Sequence, residues 1–159
     1  MTQTAIFGAG CFWGVELEFS ETPGVVKATS GYSGGDVEHP TYEQVCTGAT
    51  GHAEVVLVEF DPAIVSYRAL VEKFFALHDP TQKDRQGPDI GTQYRSVIFF
   101  ASPQQQREAI EAKENLEKAL RFKRPLATII EPAQAFWPAE DYHQQYLKKR
   151  GQGACRIKV

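Results

Sequence analysis

Residues 4–20, TAIFGAGCFWGVELEFS, contain the succession of features that decides the fold. The apolar run at residues 4–8 predicts a short strand that stops at glycines. Residues 12–20 then carry apolar side chains at mixed helical spacing, so a helix is expected directly after the turn. A strand, a glycine turn and a helix therefore open the chain, and Cys11 stands at the N-terminus of that helix.

The rest of the chain extends this opening unit into a sheet with helices. Residues 79–94, rich in Gly, Pro, Asp and Gln, predict a long loop, and such loops commonly carry function. Further strands are predicted at residues 25–32, 53–60, 95–101 and 127–131, and further helices at residues 66–78, 102–120 and 139–149. This order predicts an α+β fold, a ferredoxin-like two-layer α/β sandwich with long loops and with its helices on one face.

Length and composition favour one domain over residues 1–159, because 42% of the 159 residues are apolar, enough for a single core. Gly151 and Gly153 predict a flexible C-terminal tail at residues 150–159. The net charge of -3 gives no excess of either sign that favours nucleic acid or an anionic membrane as a partner. Since no basic leader or long apolar stretch is found, a soluble, cytoplasmic protein is expected, and the small single domain favours a monomer.

The cysteines and histidines do not indicate a metal site. Cys11, Cys46 and Cys155 are too few and too widely spaced for a disulfide-stapled secreted domain, and no Cys-x-x-Cys pair exists to hold zinc. The four histidines include no pair with ligand spacing on one element. We therefore expect no metal and no bound cofactor.

Cys11 lies in a glycine-rich turn, Gly8-Ala9-Gly10-Cys11-Phe12-Trp13-Gly14, between a strand and a helix. A dinucleotide-binding loop shares that context but needs a third glycine where this chain has Trp13, so the spacing excludes it. A helix N-terminus favours the thiolate over the thiol, which makes Cys11 a candidate nucleophile. The alternative is a buried structural thiol, although two bulky rings at a glycine turn are difficult to place wholly in the core.

The motif Gly10-Cys11-Phe12-Trp13-Gly14 resembles, without a substitution, the active-site motif of the type A peptide methionine sulfoxide reductases. Five further segments are similar to that family and follow its order: Gly31-Tyr32-Ser33-Gly34-Gly35, Pro40-Thr41-Tyr42, Thr50-Gly51-His52-Ala53-Glu54-Val55, Gly91-Thr92-Gln93-Tyr94-Arg95-Ser96 and Tyr142-His143-Gln144-Gln145-Tyr146. The resemblance covers essentially the whole chain.

The resemblance implies reduction of methionine sulfoxide, free or in proteins, by attack of Cys11 on the sulfoxide sulfur. Glu54 would be the acid that protonates the departing oxygen, and the apolar strand that it begins predicts a raised pKa. Tyr42 and Tyr94 are implied to donate hydrogen bonds to that oxygen, and Asp89 to order the site. Without the resemblance, the same residues would be interpreted as a solvent-facing glutamate, half-buried packing tyrosines and an ordinary turn residue.

Phe12 and Trp13 are implied to hold the terminal methyl group of the substrate, with only the S epimer accepted. The sulfenic acid formed on Cys11 would condense with Cys155 to a disulfide, which thioredoxin reduces, or dithiothreitol in vitro. A mobile tail suits that task, whereas the alternative for Cys155 is an inert thiol on a frayed end. Cys46 is interpreted as filling space at the end of a short helix, with no essential role.

Two other functions compete with the reductase. Cys11 paired with a histidine such as His52 would give a cysteine hydrolase or acyltransferase, for which the sequence offers no third orienting residue. A module that binds oxidised methionine in an aromatic pocket without chemistry is the other hypothesis, and rapid selective alkylation of Cys11 would favour an enzyme over it.

Overall fold

The structure is a computed structural model that describes residues 2–119 and 122–149. The strands in these ranges are β1 (Gln3–Ala9), β2 (Val25–Ser33), β3 (Ala53–Phe60), β4 (Arg85–Gln86), β5 (Asp89–Ile90), β6 (Ser96–Phe100), β7 (Ile129–Pro132) and β8 (Phe136–Pro138). The α-helices are α1 (Phe12–Ser20), α2 (Tyr42–Cys46), α3 (Tyr67–Ala76), α4 (Pro103–Lys118) and α5 (Tyr146–Lys149). Short 3-10 helices lie at Thr92–Tyr94 and Asp141–His143.

Six of the strands form one sheet in the order β7-β6-β1-β3-β2-β8. Neighbouring strands in it are antiparallel except β6 and β7, which are parallel. Within the central four strands, β6-β1-β3-β2, α1 connects β1 to β2 and α3 connects β3 to β6, which is the ferredoxin-like connection. The predicted α+β fold is therefore confirmed, with β7 and β8 added at the two edges of the sheet.

The main core lies between the sheet and three helices on one face. Phe7 of β1 stacks on Phe19 of α1 at 5.0 Å between ring centroids and on Phe74 of α3 at 5.3 Å. Ala109 of α4 is buried in the same cluster, whereas Ile6 belongs to a smaller cluster on the opposite face. Because successive strand residues point to opposite faces, this division places α1, α3 and α4 on one side, as predicted.

Local capping signals explain where the helices begin. The Ser66 hydroxyl accepts a hydrogen bond from the Ala69 N–H group at the start of α3. The Ser102 hydroxyl does the same for Gln105 in α4, where Pro103 occupies the first helical position. Both starts were expected from the sequence, and α1 and β3 have the bounds predicted for them.

Three segments differ from the prediction. Residues 79–94 are not a plain loop, because they contain the β4–β5 hairpin and a 3-10 helix. The helix predicted over residues 139–149 is wrong: Gln145 adopts a φ of 54°, which separates a 3-10 turn from the short α5. The edge strand β8, which pairs with β2 and ends in Pro138, was not expected.

In the described part of the chain no helix is long and apolar enough to cross a bilayer. The predicted flexible tail, residues 150–159, and its Cys155 lie outside the described residues.

Candidate active site

Cys11 lies at the turn between β1 and α1, immediately before the first helical residue. Gly10 has a φ of 92°, and a Cβ atom there would lie 2.8 Å from Cβ of Gln86, so the turn requires glycine. The Cys11 side chain is half-buried, and the Trp13 backbone N–H group donates a hydrogen bond to its sulfur. It lines a cavity of about 600 Å³ together with Asp89.

Burial determines the resting state of Cys11. Removal from water and, to a smaller extent, the nearby Glu54 raise the pKa of the thiol to about 12, although a hydrogen bond from the Trp13 backbone opposes them. The helix N-terminus supplies this backbone donor, but desolvation of the sulfur outweighs it and favours the neutral thiol. Cys11 rests as a neutral thiol.

Glu54 stands beside this thiol at the start of β3 and is only 1% exposed. Its Oε1 accepts a hydrogen bond of 3.1 Å from the Phe12 N–H group, and its Oε2 has no hydrogen-bond partner among the described residues. Burial raises the pKa of Glu54 to about 8, and the charge of Asp89 adds to the increase. A protonated carboxyl therefore lies next to the sulfur at neutral pH.

Tyr42 and Tyr94 bring two phenols into the same cluster. Both side chains are half-buried, and desolvation raises the pKa of each, so both hydroxyls keep their protons. The charges of Glu54, Asp89 and Cys11 act on Tyr94, which places all of them within electrostatic range of one another. Asp89 is half-buried on β5, and burial raises its pKa. Four proton-bearing or acidic groups thus surround the thiol.

Phe12 and Trp13 occupy different environments. Phe12 is 1% exposed and packs in the core against Tyr32, Tyr42 and His143, so the expectation that its ring avoids the core is wrong. Trp13 is half-buried, and its indole is stacked on Tyr146 with ring centroids 3.8 Å apart and an angle of 9°. Trp13 therefore offers an aromatic surface, which Phe12 supports from the core.

His143 is a functional candidate that sequence reasoning considered only as a metal ligand. Its Nδ1 accepts a 2.9 Å hydrogen bond from Nε1 of Trp13, so the imidazole is neutral and carries its proton on Nε2. Burial lowers its pKa, which agrees with this state. The segment Tyr142-His143-Gln144-Gln145-Tyr146 was recognised as similar to the family, but the segment alone does not show that His143 contacts the indole of Trp13.

Glu140 is a second residue that the sequence did not reveal. Its Oε2 accepts from the Tyr42 N–H group at 2.9 Å, and its Oε1 accepts from the Tyr32 hydroxyl at 2.8 Å. The carboxylate therefore fixes the start of α2 and with it the position of Tyr42. No local pattern in the sequence predicts this contact, which spans 98 residues.

Cys46 is exposed at the end of α2, so the expectation that it fills space is wrong. It hydrogen-bonds Tyr42 and acts electrostatically on Cys11, which places it at the border of the site. Among the described residues, no group of three or more His, Cys, Asp or Glu side chains is arranged to hold a metal ion.

His52, the histidine proposed for a cysteine hydrolase, is not available as a base for Cys11. Nδ1 of His52 accepts from the Gly35 N–H group at 3.0 Å, and Nε2 lies 2.7 Å from the Val37 carbonyl oxygen. Both ring nitrogens are therefore occupied by backbone groups of another loop. A general base for acyl transfer needs a nitrogen within reach of the nucleophile, so the hydrolase hypothesis loses its support.

The structure thus brings seven residues proposed for the site into one cluster at the N-terminus of α1, and the eighth, Cys155, lies outside the described residues. The chain as a whole is similar to known proteins. A family model described as peptide methionine sulfoxide reductase matches residues 3–159. The peptide methionine sulfoxide reductase MsrA of Methanoculleus marisnigri is 60% identical over 154 residues, which cover 97% of this chain and 94% of that protein.

Solved structures show the same similarity. Mxr1 from Saccharomyces cerevisiae in its reduced form superposes with a TM-score of 0.89 and 37% identity, covering 96% of this chain and 87% of that one. Mxr1 in complex with Trx2 gives a TM-score of 0.64 and 25% identity, covering 91% of this chain and 84% of that one.

Proposed function

The chain belongs to the peptide methionine sulfoxide reductase family, A type, and from this premise we propose that Cys11 is the nucleophile and Glu54 the acid of sulfoxide reduction. One observation carries the proposal: a buried carboxyl with a pKa of about 8 lies beside the half-buried thiol. Such a carboxyl is protonated at neutral pH and can donate to an oxygen on which negative charge develops.

The reaction begins when the sulfoxide oxygen enters the polar side of the cluster. Glu54 and the hydroxyls of Tyr42 and Tyr94 are the donors, because burial keeps all three protonated. Cys11 loses its proton as it attacks the sulfoxide sulfur, and the sulfoxide oxygen gains one. In the adduct, the bond from oxygen to the substrate sulfur and the bond between the two sulfurs then break, the oxygen bonds to the Cys11 sulfur as a sulfenic acid, and methionine is released. The substrate sulfur gains two electrons and the Cys11 sulfur loses two.

The other side of the cluster suits the terminal methyl group. Trp13 presents a half-buried indole, and rings of this kind contact both methyl groups and sulfur favourably. Phe12 supports this surface from the core. When the methyl group lies on the rings and the oxygen on the donors, the two epimers differ in whether the lone pair or the rest of the methionine side chain occupies each remaining position. The site therefore accepts only one epimer. We assign this to the S epimer.

Recycling requires a second thiol. We assign this role to Cys155, which would attack the sulfenic acid, release water and form a disulfide with Cys11. The yeast relative solved in complex with Trx2 supports thioredoxin as the donor of the two electrons that reopen the disulfide. Dithiothreitol would replace it in vitro. We expect methionine sulfoxide in proteins and as the free amino acid to be substrates, with no bound cofactor.

The molecule that we expect is a single reductase domain over residues 1–159, monomeric and cytoplasmic, without nucleic acid or membrane partners. Gel filtration of the full chain checks the oligomeric state.

The deciding experiment is multiple-turnover reduction of separated S and R methionine sulfoxides with dithiothreitol. We expect turnover of the S epimer alone and its loss in Cys11→Ser. Cys46→Ser is the matched control, because it removes a thiol at the border of the cluster without removing the nucleophile. Turnover of neither epimer by the wild-type protein, or full activity in Cys11→Ser, would contradict the proposal.

A further inference from the structure

Glu16 is a buried acidic residue that the reaction does not use. It lies on α1, is 1% exposed and has a raised pKa because burial disfavours its charge. Its Oε1 accepts a 2.7 Å hydrogen bond from the N–H group of Gln145, a residue 129 positions later. Burying a carboxyl group in a core costs free energy unless it is hydrogen-bonded, so this contact indicates a specific role for Glu16.

Gln145 holds an unfavourable backbone conformation. Its φ of 54° lies in the left-handed region, which a residue with a side chain seldom adopts unless the surrounding contacts hold it. The preceding residue is tied to β2, because the Gln144 side chain accepts from the Ser30 N–H group and donates to the Ser30 carbonyl, each at 2.9 Å. Glu16 supplies the next attachment, at Gln145 itself.

This turn positions the two rings that contact Trp13. His143, two residues before Gln145, accepts from the indole N–H group, and Tyr146, directly after it, stacks on the indole. Trp13 and Glu16 are three residues apart on α1 and therefore lie on neighbouring positions of one helix face. One helix thus contacts the segment at two points, through the indole and through the carboxyl.

We infer that Glu16 is a positioning residue for the substrate methyl site, which deepens the proposed function and depends on it. By holding the turn at Gln145, Glu16 sets His143 and Tyr146 against the indole and so fixes the surface on which the methyl group rests. Glu16 touches neither substrate nor the reacting atoms. Its loss should therefore weaken substrate binding more than it slows the chemical step.

Glu16→Leu removes the acceptor and Glu16→Gln keeps a carbonyl oxygen at its place. With a peptide containing methionine S-sulfoxide and dithiothreitol, we expect KM to rise about ten-fold in Glu16→Leu, a loss typical of a hydrogen bond to a carboxylate, with kcat little changed. Glu16→Gln should return KM close to the wild-type value. An unchanged KM in Glu16→Leu would overturn the inference, as would a fall in kcat alone.

A spectroscopic measurement tests the inference without substrate. The chain has two tryptophans, so Trp137→Phe leaves Trp13 as the sole emitter. In that background Glu16→Leu should shift the Trp13 emission to longer wavelength and increase its quenching by acrylamide, because the indole loses its fixed partners. Unchanged emission would overturn the inference. If the wild-type protein reduces no sulfoxide, the proposed function fails, and the emission still reports on the contact.

Two further variants cover a failure of Glu16→Leu to fold. Glu16→Asp keeps the charge and withdraws the oxygen by about one methylene, which is too far for the 2.7 Å contact. It should raise KM as Glu16→Leu does. In a double-mutant cycle, Glu16→Asp is combined with Tyr146→Ala. The KM of the double variant should rise by less than the product of the two single increases, because both residues act through one surface. Independent effects would contradict the inference.

Discussion

At the scale of single residues, glutamine in place of Glu54 separates acid catalysis from packing. Glu54→Gln keeps an oxygen that accepts from the Phe12 N–H group, but the amide carries no acidic proton that can be transferred to the sulfoxide oxygen. We expect kcat with dithiothreitol to fall about 100-fold or more, the usual contribution of a positioned general acid. The wild-type rate should decline as pH rises through about 8, where the Glu54 carboxyl loses its proton.

The pH profile supplies the control for this substitution. Because glutamine does not titrate, the residual rate of Glu54→Gln should lack the decline near pH 8. Glu43→Gln, at an exposed acidic residue of α2, should keep both the rate and the profile of the wild type. A wild-type rate in Glu54→Gln would exclude Glu54 as the acid.

His143 provides a second test at this scale. His143→Phe keeps a ring in the buried position but removes the acceptor for Nε1 of Trp13. We expect a several-fold increase in KM for the S-sulfoxide, because the half-buried indole N–H group loses its partner and the ring loses its fixed orientation. His39→Phe, at an exposed histidine, is the control. Equal KM values for His143→Phe and the wild type would show that the hydrogen bond does not position the indole.

At the scale of elements, His78 joins the end of α3 to the sheet. Nδ1 lies 2.7 Å from the Phe74 carbonyl oxygen and Nε2 lies 2.8 Å from Oγ of Ser96 in β6. Burial lowers the pKa of His78 from 6.5 to about 4. Between these pH values the imidazole is protonated in the unfolded chain but neutral in the folded protein. The free energy of unfolding should therefore fall as pH is lowered from about 6.5 to 4, by roughly 3 kcal/mol.

Urea unfolding at several pH values measures this dependence. His78→Gln retains a donor and an acceptor but does not titrate, so its stability should fall less over the same interval. His39→Gln, on an exposed loop, should keep the wild-type dependence. An equally steep loss of stability in His78→Gln would show that other groups cause the acid sensitivity.

The elements also show which features a sequence specifies locally. The bounds of α1 and β3 follow from a glycine turn and from Asp61-Pro62, signals that lie within a few residues of the element. The helix predicted over residues 139–149 fails because its interruption depends on contacts far along the chain. Glu16 holds the N–H group of Gln145 across 129 residues, and no periodicity within the segment records that contact.

At the scale of the whole molecule, the same distinction applies to the site. The place of Cys11 at the N-terminus of a helix was predictable from its turn, whereas Tyr42, Tyr94 and Asp89 came from resemblance, since nothing local brings them together. The resting protonation state of Cys11 could not be predicted, because its environment is formed by β3 and β5 as well as by α1. Desolvation depends on the packed fold, whereas the sequence shows only that Cys11 lies at a helix N-terminus beside two aromatic residues.

The full catalytic cycle gives the prediction that belongs to the whole chain. Cys155→Ser leaves every described group of the cluster in place, so one methionine S-sulfoxide should be reduced per enzyme without added reductant. Turnover with thioredoxin should then stop, because the sulfenic acid on Cys11 has no second thiol to attack it, whereas dithiothreitol should still support cycling. Cys46→Ser tests whether the exposed thiol beside Tyr42 replaces Cys155, and it should cycle with thioredoxin as the wild type does. Thioredoxin-driven cycling by Cys155→Ser that disappears on adding Cys46→Ser would move the resolving role to Cys46.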